Sequence, residues 1–181
     1  MRTVLVIQLK LILFIVAAAA TSTETRTPPT TTSQSTITAS SLIVSTTISS
    51  ALTISDQTYT RYGVSSGNYY YKTVQVTVSR TGSYSFACSS NMIAYGYLYN
   101  NSFVASTPAL NLLISNGDLG GTAQFEFTYY LTSDVTYILV ATTYSTGVTG
   151  TFSILASGPA ALTLTVIVIP RPTGTTIVTI Q

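Results

Sequence analysis

The middle of the chain alternates between apolar and polar positions. In residues 69–79, YYYKTVQVTVS, Val74, Val76 and Val78 fall on one face and Thr73, Gln75, Thr77 and Ser79 on the other. Successive side chains of an extended backbone point to opposite sides, so this period of two predicts a strand with one buried face. Tyr69, Tyr70 and Tyr71 cannot all point the same way, and at least one of them is expected outside. The turn RTG (80–82) leads into SYSFACS, where Tyr84, Phe86 and Cys88 share a face. MIAYGYLYNNSFVAS follows, with Asn100 and Asn101 as its expected tight turn, because asparagine tolerates the left-handed backbone of two-residue hairpin turns.

The second half repeats this grammar. LNLLIS is a short apolar run, and NGDLGG (116–121) is a loop with three glycines. TAQFEFTYYL sets Phe125 and Phe127 against Gln124, Glu126 and Thr128. VTYILVATTY is continuously apolar through its middle and reads as a central strand. TFSILAS alternates Phe152, Ile154 and Ala156, and ALTLTVIVI comes after Gly158-Pro159. No stretch beyond the N-terminal region keeps a helical period. Eight or nine short strands with regular turn signals predict an all-β, antiparallel, jelly-roll-like sandwich.

The N-terminus has a different texture. MRTVLVIQLKLILFIVAAAATS places Arg2 before the apolar run 11–16 and the small residues 17–20, the layout of a secretory signal peptide. The clean apolar stretch after Lys10 falls short of the roughly 20 residues of a membrane span. An uncleaved anchor starting at Val4 is the alternative. Ser and Thr make up about two-thirds of residues 21–50, which also hold Pro28 and Pro29. Such a segment buries too little apolar surface to offset chain entropy, so it is expected to be a disordered tether, mucin-like if O-glycosylated. The expected organisation is a signal peptide over 1–20, a linker or stalk over 21–53, the sandwich over 54–169 and a polar tail over 170–181. The last apolar run, near 162–169, alternates with Thr and suits a strand, so no membrane span is expected in the mature protein.

Composition narrows the function. Charged residues are 7% of the 181, against about 25% in ordinary soluble domains. Between Asp56 and Asp134, Arg61, Lys72 and Arg80 face Asp56, Asp118, Glu126 and Asp134, so the body is near neutral. No basic cluster is present to neutralise several phosphates, and nucleic acid is not an expected partner. The chain has no histidine and one cysteine, Cys88, too few soft ligands for a tetrahedral zinc site. Cys88 is expected as a buried apolar filler, with intermolecular pairing as the minority reading.

Residues 63–67, GVSSG, match the G-x-S-x-G frame of a nucleophilic serine. A nucleophile elbow needs a strand-turn-helix bend and a base. Here no helix is expected after Ser65, no histidine exists, and only Lys72 could serve as base in the exported chain. Asp118, Glu126 and Asp134 lie on separate elements, with nothing to pair them at glycosidase distance. Asn116 and Asp118 sit in a glycine-rich loop, but calcium wants six to eight oxygens and usually several carboxylates, so a turn is the better reading. No catalytic residue, metal or cofactor is expected.

The candidate binding residues are Tyr95, Tyr97 and Tyr99, which share one strand face opposite Ala94, Gly96 and Leu98. If exposed, they form an aromatic ladder for sugar rings or a protein surface; if inward, they fill the core, which is the favoured reading. Asn100-Asn101-Ser102 is the sole N-x-S/T sequon, making Asn100 a candidate N-glycosylation acceptor.

The order Gly82, Tyr84, Phe86, then YGYLYN (95–100), TYILVATTY (136–144) and GTFSI (150–154) resembles the pre-peptidase C-terminal domain and related secreted jelly-roll modules, over roughly residues 69–157. That resemblance implies a non-catalytic accessory β-domain of the kind found beside secreted enzymes. The family usually carries an acidic residue before its YLY strand, where this chain has Met92, Ile93 and Ala94, so ion-dependent properties of relatives do not carry over. The expected function is adhesion or recognition outside the cell, with a glycan or protein as partner. The alternative is a structural component of an extracellular matrix or coat. An enzyme would need a base that the chain does not supply.

Overall fold

The structure is a computed structural model and describes residues 42–117 and 124–170. The expected signal peptide, most of the linker, Asp118 and the tail beyond Pro170 lie outside the described residues.

Eleven strands occur among them, and no helix. They are β1 (Val44–Leu52), β2 (Thr58–Tyr59), β3 (Tyr69–Tyr70), β4 (Lys72–Val78), β5 (Gly82–Ser90), β6 (Ala94–Asn100), β7 (Leu112–Asn116), β8 (Glu126–Leu131), β9 (Tyr137–Thr143), β10 (Gly150–Gly158) and β11 (Leu162–Ile167). One sheet runs β1-β10-β5-β8 and the other β11-β4-β9-β6-β7, with every pairing antiparallel. The rows β1-β10-β5-β8 and β4-β9-β6-β7 have the strand order of a jelly roll, with β11 added beside β4. The short β2–β3 pair is a separate ribbon.

The alternating residues meet between the sheets. Val74, Val76 and Val78 of β4, Tyr84, Phe86 and Cys88 of β5, and Phe152, Ile154 and Ala156 of β10 belong to one buried cluster. Burying each valine, isoleucine or phenylalanine of this cluster stabilises by about 1.5–3 kcal/mol. Gly96 sits where Phe125 crosses the sheet, and a Cβ there would lie 2.7 Å from its ring. The β9 strand is buried along its whole length. Leu139 and Ala141 face the sandwich core, while Ile138 and Val140 face a second cluster on the far side of the sheet. This explains why β9 reads as continuously apolar: both of its faces are covered.

Three expectations change. The sandwich starts inside the stretch read as linker, since β1 pairs with β10 from Val44↔Gly158 to Leu52↔Gly150. Its inward residues Thr46, Ile48 and Leu52 are spaced by Ser and Thr, and that composition hid the alternation. Asn101 does take a left-handed backbone, φ 59°, but β7 starts only at Leu112, so a long loop replaces the expected two-residue turn. Of the three consecutive tyrosines, Tyr69 and Tyr71 are buried and Tyr70 half-buried, so none stands fully outside.

Candidate functional site

The tyrosine row lies neither in the sandwich core nor in the open. Because Ala94 and Leu98 point into the sandwich, Tyr95, Tyr97 and Tyr99 point out of the far face of the five-stranded sheet. There they are roofed by Tyr59, Tyr69, Tyr71 and Phe103, which come from the β2–β3 region and the loop after β6. Tyr97 and Tyr99 are 0% exposed and Tyr95 is half-buried. Stacking continues down the row, with centroids 4.9 Å apart for Tyr95–Tyr97 and 6.4 Å for Tyr97–Tyr99. Tyr59, Tyr71 and Phe103 meet edge to face at 5.0–5.3 Å. The row is thus not an open ladder for a sugar. It is the floor of a second, aromatic core.

The hydroxyls of the row hold the roof down. Tyr97 donates to the Tyr62 carbonyl and Tyr99 to the Pro108 carbonyl, each at 2.9 Å. Burial pushes the Tyr97 phenol up to about 12 and the Tyr99 phenol higher still, so both are donors at any physiological pH. At the other end of the roof, Asp56 accepts from the Lys72 ammonium and from the Thr53 backbone N–H. Gln57 accepts from the Tyr71 hydroxyl at 2.7 Å and donates to the Ile169 carbonyl at 3.1 Å.

Arg61 is the residue that sequence reasoning missed. It is 7% exposed, and its guanidinium carbon lies 4.6, 5.0 and 5.3 Å from the ring centroids of Tyr95, Tyr69 and Tyr144. Nη1 donates to the Tyr97 hydroxyl at 3.2 Å and Nη2 to the Tyr144 carbonyl at 3.3 Å. Buried arginines are ordinarily paired with carboxylates. Here the one ion pair among the described residues is Lys72–Asp56, so Arg61 has tyrosine rings where a carboxylate would be expected. Nε has no hydrogen-bond partner, nor does the buried Tyr59 hydroxyl. The sequence signal was slight: a lone cation inside the aromatic run TYTRYG.

Two depressions open on this roof. A cleft of ≈480 Å³ is lined by Gln57, Tyr71, Phe103 and Ile169 among others. A groove of ≈770 Å³ runs between residues 60–65 and 105–109, and Arg61, Tyr62, Ser65 and Thr107 line it. Tyr62 and Tyr144 are about half exposed, at 49% and 56%.

The remaining candidates fall elsewhere. Ser65 lies in the β2–β3 loop, which continues into strand rather than helix. Asn100 is exposed at the end of β6. Cys88 is buried in the sandwich core, and desolvation pushes its thiol up to about 12. Glu126 and Asp134 belong to no cluster of three or more metal-ligating side chains among the described residues. No helix among the described residues is long and apolar enough to cross a membrane. The chain matches no family model and no curated protein.

Proposed function

We propose that the chain is an exported, non-catalytic jelly-roll module that recognises an extracellular glycan or protein through the loop-built roof of its five-stranded sheet. The observation that carries this reading is the groove between residues 60–65 and 105–109, whose wall combines the half-exposed Tyr62, short hydroxyl residues and the buried Arg61. Concave sites with aromatic walls and a few fixed polar groups are the usual form of ligand recognition. Export is supported by the leader-like N-terminus and the Ser/Thr-rich stretch behind it. In that compartment the exposed Asn100 would be a glycosylation acceptor. The non-catalytic reading is supported by the lack of histidine in the sequence and by the engagement of the Lys72 ammonium with Asp56. The resemblance to pre-peptidase C-terminal modules supports an accessory role of the same kind.

The test is saturable binding of the secreted protein to a broad glycan and matrix-protein array. Binding to none of these ligands overturns recognition. Turnover of an ester or glycoside panel that disappears in Ser65→Ala overturns the non-catalytic part.

A second reading, a structural component that assembles, is favoured by one observation. Of the four edge strands of the two large sheets, β1, β7 and β11 carry no charged residue, and β8 carries only Glu126. Unguarded edges pair readily. Concentration-dependent growth in light scattering would support this reading, and a monomer at all concentrations would remove it.

A further inference from the structure

We infer that the groove between residues 60–65 and 105–109 takes an acidic sugar, one bearing a carboxylate or sulfate group, with Arg61 as the residue that holds the anion. This rests on the recognition reading above and names its ligand class.

The first observation is the charge. A guanidinium has five N–H donors and is ionised at all accessible pH. Arg61 uses Nη1 on the Tyr97 hydroxyl and Nη2 on the Tyr144 carbonyl, and no carboxylate among the described residues pairs with it. Arg61 is 7% exposed, and neutral rings and oxygens hold it where a counter-ion would ordinarily sit.

The second observation is the geometry of what is left over. The side of a guanidinium that grips a carboxylate or sulfate with two parallel hydrogen bonds is formed by Nε and Nη2. On Arg61 that edge is the under-used one: Nε has no partner, and Nη2 makes a single 3.3 Å bond to a main-chain oxygen. The unpartnered Nε, on a residue that lines the groove, marks a place where an additional oxygen-bearing group is stabilised.

The third observation favours a sugar over another anion. Tyr62, which lines the groove next to Arg61, exposes about half of its surface, which suits stacking on a pyranose face. The groove is also lined by Ser65, Ser106 and Thr107, residues with short hydroxyls matched to a polyol. A ligand carboxylate or sulfate would displace the weak Nη2–Tyr144 contact and gain the free Nε.

The experiment is calorimetric titration of the full secreted chain with an acidic peptide and with three oligosaccharides of equal length: one containing uronic acid, one sulfated and one neutral. Two variants accompany it. Arg61→Lys keeps the charge but loses the fork, and Ala109→Trp fills the groove from an exposed position in its other wall. The expected result is at least tenfold tighter binding of one or both acidic ligands than of the neutral one, weakening as salt rises. Both variants are expected to lose at least tenfold in affinity while still unfolding cooperatively. If Arg61→Lys does not fold, Ala109→Trp decides alone. Comparable affinity for neutral and acidic sugars overturns the inference and leaves the recognition reading intact. So does acidic binding that survives Ala109→Trp, or a preference for an acidic peptide over both acidic sugars. No binding of any of these ligands, together with a blank array, overturns both.

Discussion

Arg61 Nη1 lies 3.2 Å from the Tyr97 hydroxyl, and that contact ties the roof of the five-stranded sheet to the middle of its tyrosine row. The same hydroxyl donates to the Tyr62 carbonyl, so one phenol bridges two neighbouring roof residues. Tyr97→Phe is therefore expected to cost about 1–3 kcal/mol, because it leaves a main-chain carbonyl and an arginine N–H with no partner. Tyr99→Phe, which frees only the Pro108 carbonyl at 2.9 Å, is expected to cost about 1 kcal/mol. Urea midpoints of the two variants, read with equal slopes, check the order. A Tyr99→Phe more damaging than Tyr97→Phe contradicts the bridging role.

Truncating the cation itself goes further. Arg61→Ala removes two hydrogen bonds and contact with three tyrosine rings. The expected loss is about 2–4 kcal/mol, set mainly by the lost cation–π contacts and the cavity. Limited proteolysis should then cut first within residues 60–66, before any cut in the paired strands.

Two glycines separate steric from conformational demand. A Cβ on Gly158 would lie 2.0 Å from the ring of Tyr84, which is 0% exposed. Gly158→Ala should lose about 3 kcal/mol or more, since overpacking a rigid ring ordinarily costs about 1–3 kcal/mol. Gly63 has open space but φ +87°, so Gly63→Ala should lose only about 1–2 kcal/mol, the cost of left-handed backbone. Thermal melts of both variants distinguish the causes, and equal losses would contradict the packing argument.

Alkaline stability follows from burial. Desolvation by burial pushes the Cys88 thiol up from 9.0 to about 12 and the Tyr97 phenol up from 10.0 to about 12. With the folded value above the unfolded one, each group contributes stability that is fully present below the unfolded value and is lost as pH rises toward the folded one. Stability should be insensitive to these groups from pH 7 to about pH 8.5 and fall between about pH 9 and 12. Denaturant midpoints across that range give the slope. At pH 8 the folded protein should leave a thiol reagent unreacted until denaturant is added, because only the thiolate is nucleophilic.

The strands whose inward residues are apolar were legible. Val74, Val76 and Val78 declared β4, and Phe125 and Phe127 declared the approach to β8 and its face. The β1 strand was not legible, because Thr46 occupies an inward position with its hydroxyl satisfied by the Leu162 carbonyl. Hydrophobic pattern cannot show such a pairing.

The sequence by itself determined that this is a pleated, antiparallel, nearly neutral protein, because side-chain alternation and turn residues act over a few neighbouring positions. Only the tertiary structure decided what becomes of the tyrosine row. Alternation says that Tyr95, Tyr97 and Tyr99 share a face, but not whether that face meets the other sheet, solvent or a roof. That choice depends on Tyr59, Arg61, Tyr69 and Phe103, and Arg61 is 36 residues from Tyr97 in the chain. Contacts across such separations leave no periodic trace in the chain that makes them.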